Sequence, residues 1–406
     1  MKNLICISLM FCATMLIAQE EEPKNSADFE LGKGITFNLN DGDYQFFMSG
    51  FIQPSISFEK VKGSDSDYKF NSKRAFFMLG GTAVKEKISF LVQTDFSSRD
   101  PLLDAWIAYH PFSWLSVSAG QKQNFVNNRE MLYREDRLQF TDRSLSSRTF
   151  SNTGREFGVF VETNFELANG IIIAPKASLT SGDGRNSFGT DSRDTDYGGV
   201  KIGGRLDVYP FGAFKPGNDL YTADLKREEK LKVLVGAAVS KNNGASHPNG
   251  EGHGNFLLYD QNGQIALPDY SQFYTDVLLK YQGFSALLEY SNGAASGLDR
   301  LYVDTNGSTI LAPTQISQFL ILGDSFTAQA GYVTTGGLSF DFRYEKSRPE
   351  FDNNLDSLLA DFNNYTFGIT KYFDGNNLKL QAAISTTDFA QGNNITTGEL
   401  LFQIVF

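Results

Sequence analysis

The chain has 406 residues and a formal charge of −11, with 36 Phe and 17 Tyr against 2 Trp, and only 3 His. Its apolar fraction of 41% is above that of disordered chains and below that of multi-helix membrane proteins. The acidic balance argues against nucleic acid as a partner, since phosphate binding needs a basic surface, and so few histidines leave little room for histidine-based catalysis.

Residues 1–19 read as a signal peptide. Lys2 supplies the positive start, Leu4 to Ile17 is nearly continuously apolar, and Ala18-Gln19 offers a cleavage point. The stretch is short for a membrane-spanning helix. Both cysteines, Cys6 and Cys12, lie inside it, so the exported chain would carry no thiol, and loss of Lys2 takes its charge from −11 to −12. Residues 20–43, opening with Glu20-Glu21-Glu22, read as a loose periplasmic tail in which Ile35 to Leu39 offer a short strand.

From residue 44 onward, apolar and polar side chains alternate. Tyr44, Phe46, Met48, Ile52, Ile56 and Phe58 share one parity, with Gln45, Ser49, Gln53, Ser55 and Ser57 on the other. Successive strand side chains point to opposite faces, so this is a two-faced strand. Similar segments follow at 72–84, 88–97, 104–110, 114–121, 156–166, 170–180, 197–209, 231–241, 272–281, 284–291, 323–334, 337–347, 363–373, 377–387 and 397–406, sixteen in all.

Long and short gaps alternate between these segments, with one exception at 210–230. The short gaps carry turn residues: Ala168-Asn169-Gly170, Gln282-Gly283, Thr335-Gly336-Gly337 and Asp374-Gly375-Asn376. Tight turns at one end and long loops at the other, with an even number of strands, are the pattern of a barrel threaded through a membrane. Sixteen strands enclose more space than side chains can fill. The apolar parity (Leu338, Phe340, Phe342, Tyr344) is therefore assigned to lipid and the polar one (Ser339, Asp341, Arg343, Glu345) to the lumen. Aromatics near the turns, at Tyr109, Phe112, Trp114, Tyr209, Phe211, Tyr372 and Phe373, suit an interfacial girdle. The expected fold is an all-β, sixteen-stranded antiparallel transmembrane barrel over 44–406, in the outer membrane of a Gram-negative cell. Leu400, Phe402, Ile404 and Phe406 alternate to an aromatic end, which resembles the signal read by the barrel-assembly machinery.

A second line comes from short motifs. Lys73-Arg74, Asp95, Asp104-Ala105, Gly120-Gln121-Lys122 with Phe125, Arg143-Ser144 and Arg155-Glu156-Phe157-Gly158 resemble the phosphate-selective porin O and P family. Gly204-Arg205-Leu206, Tyr209-Pro210-Phe211-Gly212 and Lys280-Tyr281 continue the likeness. The resemblance implies a homotrimeric outer-membrane channel whose third loop folds inward, with arginine and lysine side chains favouring anions.

The third long gap, 122–155, is the matching loop and the candidate pore constriction. It holds Lys122, Arg129, Arg134, Arg137, Arg143, Arg148 and Arg155 against Glu130, Glu135, Asp136 and Asp142, seven positive charges less four negative, or +3. Six of the fifteen arginines of the chain are here. Arginine's fixed, planar charge suits an oxyanion in a narrow place; the alternative is that these arginines pair with the nearby acids and brace the loop. On the strands, Lys201, Arg205, Lys280, Arg343 and Lys379 share the lumen parity with Asp95, Glu162, Asp207, Asp276, Glu289, Asp341, Glu345 and Glu399, so there is no continuous basic ladder. The anion-binding candidates are the seven loop cations with Lys201 and Arg205.

No catalytic residue, metal site or cofactor is assigned. His247 and His253, with Glu251 between them, fall in a Gly/Asn loop that reads as solvated, and so do Asp183, Asp191, Asp194 and Asp196, which lack EF-hand spacing. Lys226-Arg227-Glu228-Glu229-Lys230 reads as a short solvated helix. The leading expectation is passive diffusion of small solutes, with inorganic anions among them. The alternatives are a non-conducting barrel that anchors surface machinery and a barrel hydrolase, which would need one of the three histidines as base.

Overall fold

Sixteen antiparallel strands close into a barrel in a computed structural model of the chain, which describes residues 25–151, 154–185, 197–351 and 354–406. In chain order they are β1 Tyr44–Val61, β2 Asp67–Ala83, β3 Ile88–Asp95, β4 Leu102–Phe112, β5 Leu115–Gln123, β6 Arg155–Thr163, β7 Ile172–Thr180 and β8 Lys201–Tyr209. There follow β9 Lys232–Asn242, β10 Asp269–Tyr281, β11 Phe284–Ser296, β12 Gly323–Val333, β13 Leu338–Pro349, β14 Phe362–Asp374, β15 Leu378–Phe389 and β16 Ile395–Val405. Each pairs with its neighbour in sequence, and β16 closes on β1 from Ile395↔Val61 to Val405↔Phe51. The sixteen barrel strands leave no open edge among themselves. Residues 1–19, which the sequence reads as a signal peptide, and Asp191, Asp194 and Asp196 lie outside the described residues.

The barrel is inside-out. Along β13, Ser339, Asp341, Arg343, Glu345 and Ser347 are buried while Phe340 and Phe342 are exposed. The same alternation runs through β1, where Gln53 and Ser55 face in and Ile52 and Ile56 face out. A face of exposed Phe, Leu, Ile and Val is stable against hydrocarbon and unstable against water, at about 25 cal/mol per Å². Lys241, on the outward parity of β9, stands at the strand's end and pairs with Asp269 at 2.9 Å. Pro54 lacks a ladder donor, and the β1–β2 register shifts between Gln53 and Pro54.

Turn chemistry sets the tight end. At Gln282-Gly283 both residues have positive φ (48° and 94°), the twist that suits a two-residue hairpin. The girdle holds for Tyr109, Phe112, Trp114, Phe211 and Phe373, all exposed. Tyr209 and Tyr372 depart from it. Tyr209 packs against Phe214, and Tyr372 is buried with Ala223 and Val333, because both lie on the lumen parity.

Two connections differ from their sequence reading. Residues 26–39 are a hairpin of strands Ser26–Glu30 and Gly34–Leu39, the second paired with Tyr44–Met48 of β1 beyond the point where β16 ends. Gly32 donates to the Val405 carbonyl at 3.1 Å, and a side chain at Gly32 (φ 90°) would collide with Asn377. The charged run 226–230 is not helical. Glu228 is buried, accepting from Lys215 N at 2.7 Å and Asn218 Nδ2 at 2.6 Å, which draws the turn 210–231 into the lumen. At the opposite end, loops 243–268 and 297–322 share an apolar cluster of Leu258, Leu301, Leu311, Ile316, Leu320 and Leu322.

Candidate pore constriction

The residues between β5 and β6 cross the interior of the barrel. Their two ends are stapled first. Asn124 N donates to the Gly154 carbonyl at 2.8 Å, and Asn124 Nδ2 donates to Glu156 at 2.8 Å. Phe125, Val126 and Phe150 then pack with Phe160 and Tyr274 on the wall, and Leu138 and Tyr133 pack with Leu234, Leu278 and Leu287. Two short helices, α1 Arg129–Leu132 and α2 Leu145–Ser151, with a turn at Glu135–Arg137, carry the charges.

Polar wall contacts fix the rest. Arg129 Nε lies 2.8 Å from Asp276 on β10, and its guanidinium also pairs with Asp207 on β8. Arg205 bridges the same two carboxylates and donates to the Asn127 carbonyl at 2.8 Å, so two guanidiniums and two carboxylates make one buried square. Glu130 meets Arg343 at 3.0 Å and accepts from Ser144 N at 2.8 Å and Ser147 Oγ at 2.6 Å. Gln139 donates to Asp341 and accepts from Gln329 at 2.7 Å, and Lys379 holds the Asp136 carbonyl at 2.7 Å.

The predicted site residues separate into four groups. Arg129, Arg155, Lys201 and Arg205 are buried and paired, Arg155 with Asp104 at 3.0 Å and Lys201 with Glu156 at 2.6 Å. Lys122 reaches Glu162 at 2.7 Å, and Arg134 forks onto Asp136 at 2.5 and 2.8 Å. Arg143 holds the loop's own backbone, at the carbonyls of Glu130 (2.6 Å) and Tyr133 (2.7 Å), and Glu135 at 3.0 Å. Arg137 and Arg148 are held most loosely, with carboxylate contacts of 3.9 Å to Asp136 and 3.6 Å to Asp142. Bracing therefore accounts for most of the arginines, with carboxylates both from the loop and from the wall.

Electrostatics agree with this division. Burial alone would raise the Glu135 carboxyl, yet the guanidiniums of Arg155, Arg143 and Arg74 together hold it well below the usual carboxylate range. Asp142 is likewise raised by burial and more than offset by Lys73, Arg74 and Arg148. Burial and the neighbouring Arg134 cation both lower Arg137, and Asp136, shared with Arg134, only partly opposes them.

Besides a small cavity of about 190 Å³ at Arg129, Tyr133 and Arg137, two larger ones flank the loop. One, of about 390 Å³, lies between 140–148 and the walls of β1, β2 and β13–β16. It is lined by Lys69, Lys73, Arg143, Arg148 and Arg343 and by Glu59, Asp67, Asp142 and Glu399. The other, of about 540 Å³, lies near the tight-turn end and is lined by Arg134, Arg137, Phe47, Leu91 and Trp106 among others. Lys73 and Arg74, whose partners include Asp142 and Glu399, are cations at the loop that the lumen parity did not single out. Their adjacency in β2 was visible, but their partners are distant in sequence. His110, on β4, shares a 2.8 Å hydrogen bond with Ser89 on β3, beside the turn 84–87.

No protein-family model matches the chain, and no curated protein matches it in sequence. Among solved structures it is similar to the outer membrane channel DcaP of Acinetobacter baumannii, at 12% identity over 89% of this chain and 97% of that one, with TM-score 0.54. It is similar to OprB of Pseudomonas putida at 10% identity over 89% and 94%, with TM-score 0.54. A loop L8 deletion mutant of OmpT, an outer membrane protein of Vibrio cholerae, gives 12% identity over 89% and 99%, with TM-score 0.52. The fold is an outer-membrane barrel. At these identities the likeness is one of fold, and the selectivity of the pore has to be argued from its own charges.

Proposed function

We propose that the protein is an outer-membrane porin through which small polar solutes diffuse passively, past a constriction formed by 124–154. One observation carries this reading: a polar lumen, inside an apolar outer face, is crossed by a loop tied to the wall through ion pairs. A barrel serving only as an anchor has no need of charged groups spaced around cavities. The outer membrane channel DcaP among similar solved structures supports the same reading.

A weak anion preference belongs to this proposal, and strict phosphate specificity does not. The larger part of the positive charge in the loop is neutralised pairwise. The cavity beside 140–148 carries five cationic and four acidic side chains, a balance of +1. Arg137 and Arg148 are the cations with most charge to spare. The further resemblance to phosphate-selective porins O and P, a homotrimer, export by residues 1–19 and recognition of Phe406 by the assembly machinery are part of the same proposal. One OmpT structure from Vibrio cholerae is a trimer form.

Single-channel recording in planar bilayers tests the reading. Discrete conductance steps with a small anion bias in a salt gradient are expected. A purified, heat-modifiable barrel that gives no steps would favour the anchor. Hydrolase activity that disappears in Ser89→Ala or His110→Gln would favour the enzyme.

A further inference from the structure

Away from the lumen, the loop 243–268 between β9 and β10 gathers two of the chain's three histidines. His247 and His253 stack, with ring centroids 4.3 Å apart and planes 16° from parallel. Both rings address one carboxylate: His253 Nε2 is 2.7 Å and His247 Nδ1 is 3.8 Å from Glu251 Oε2. One donor atom from each of the three residues falls within 4.8 Å of the other two. A tetrahedral zinc ion with bonds of about 2.0–2.1 Å separates its ligands by roughly 3.4 Å, so seating it needs His253 Nε2 to move back from the carboxylate and His247 Nδ1 to move toward it.

The loop is not the loosely solvated segment that its composition suggests. The side chains are largely sheltered, at 19% exposure for His247, 17% for His253 and 13% for Glu251. Ser246 N and His247 N both donate to the Glu251 carbonyl at 2.9 Å, and Gly250 N donates to the His247 carbonyl at 2.9 Å. Gly250 has φ 88° and lies flat on the Tyr270 ring, where any side chain would collide. Asn242 from β9 donates to the Gly250 carbonyl at 2.6 Å, and Gly252 N donates to the Gly182 carbonyl at 3.0 Å. Asn249 Oδ1 contacts His247 Nδ1, a contact that an ion on this nitrogen would displace.

We propose that His247, Glu251 and His253 form a binding site for a first-row divalent cation of the zinc class on the long-loop face of the barrel. Two imidazoles and one carboxylate are the ligand set of three-residue zinc sites, which leave a fourth position to water. They are a poor set for Mg²⁺ or Ca²⁺, which take oxygen ligands. A bound ion would lock 246–253 against β9 and against the segment at Gly182.

The test is titration of the untagged, refolded barrel with Zn²⁺, followed by calorimetry, with Mg²⁺ and Ca²⁺ as controls. One Zn²⁺ per chain is expected, with the controls neither binding nor competing. His247→Gln with His253→Gln should weaken binding by at least the roughly 10–100-fold that loss of a mere supporting group costs, while His110→Gln leaves it unchanged. Folding of each variant is checked by heat-modifiable migration. Co²⁺ added to the wild type alone gives a second readout that needs no variant: an intense visible d–d spectrum is expected for tetrahedral ligation. Absence of stoichiometric Zn²⁺ binding, equal affinity in the folded double variant, or a weak octahedral Co²⁺ spectrum would each overturn the site.

Discussion

The loop 124–154 and the turn 210–231 enter the same lumen from opposite ends, and they are held there by different chemistry. The loop is pinned by full charges facing full charges, as in the square of Arg129, Arg205, Asp207 and Asp276. The turn is pinned mainly by charges facing neutral groups. Lys280 donates to the backbone carbonyls of Asn218 (2.5 Å) and Tyr221 (2.6 Å) over the Phe214 ring, and Asp224 caps Glu228 N at 3.0 Å. A buried ion pair stabilises little beyond its desolvation cost, but breaking one leaves a stranded charge. The loop is therefore the more brittle of the two, and the turn the more forgiving.

Replacing residues 128–150 by a short Gly/Ser linker is the most drastic test. It should leave a folded barrel, because the strands close without the loop, and raise single-channel conductance several-fold. Unchanged conductance would mean that the turn 210–231, and not the loop, limits flow. Arg129→Met is next. It leaves Asp276 with Arg205 and Asp207 with Arg205 and Lys176, a loss on the order of 3–5 kcal/mol by analogy with other broken buried pairs. A lower temperature for heat-modifiable unfolding and noisier open-channel current should accompany it. Lys280→Met removes hydrogen bonds to neutral carbonyls, on the order of 1–3 kcal/mol, and should loosen the turn without disturbing the loop. A larger effect for Lys280→Met than for Arg129→Met would reverse the comparison.

Acid acts on the same contrast. Glu135 and Asp142 are held below their ordinary values of 4.5 and 3.8 by surrounding cations. A carboxyl depressed on folding contributes stability above its unfolded value and loses it only as pH falls through the lower, folded one. The brace should thus survive acidification through the usual carboxylate range and give way below it. Conductance flat between neutral pH and about 4, with an increase only in stronger acid, is the expected profile. A rise near pH 5 would show that these acids are not clamped.

Much of this was legible because a barrel strand has a strict period. Ser339 to Glu345 could be assigned to the lumen from alternation alone, and Gln282-Gly283 announced its turn. The ion pairs were not legible in the same way. Arg143–Glu135 and Arg148–Asp142 are local and follow from proximity, but Arg129 finds Asp207 and Asp276, and Glu130 finds Arg343, across the lumen. Those partners depend on where a non-periodic loop falls. The run 226–230 misled for a similar reason: its charges are those of a solvated helix, and only the tertiary position of Asn218 and Lys215 gives Glu228 buried partners. Histidines six apart in a Gly/Asn loop carry no sign that the backbone will fold their rings together.

Selectivity should respond least. Arg143 spends its guanidinium on loop carbonyls, so Arg143→Ala would disturb the constriction itself and report on shape more than charge. Arg137 and Arg148 are better probes because their nearest carboxylates are 3.9 and 3.6 Å away and each lines a cavity. At these openings low-dielectric walls focus the field, whereas charges on the exterior are screened within about 8–10 Å. The double variant Arg137→Ala, Arg148→Ala removes two positive charges beside these cavities and leaves the closer ion pairs that brace the loop. Its reversal potential in a salt gradient should move by a few millivolts toward cation preference, a modest shift because the remaining charges are paired, while conductance stays near that of the wild type. A potential that does not move, in a variant with normal conductance, would place the selectivity elsewhere, and the wall cations Lys69 and Lys73 beside the same outer cavity would be the next to replace.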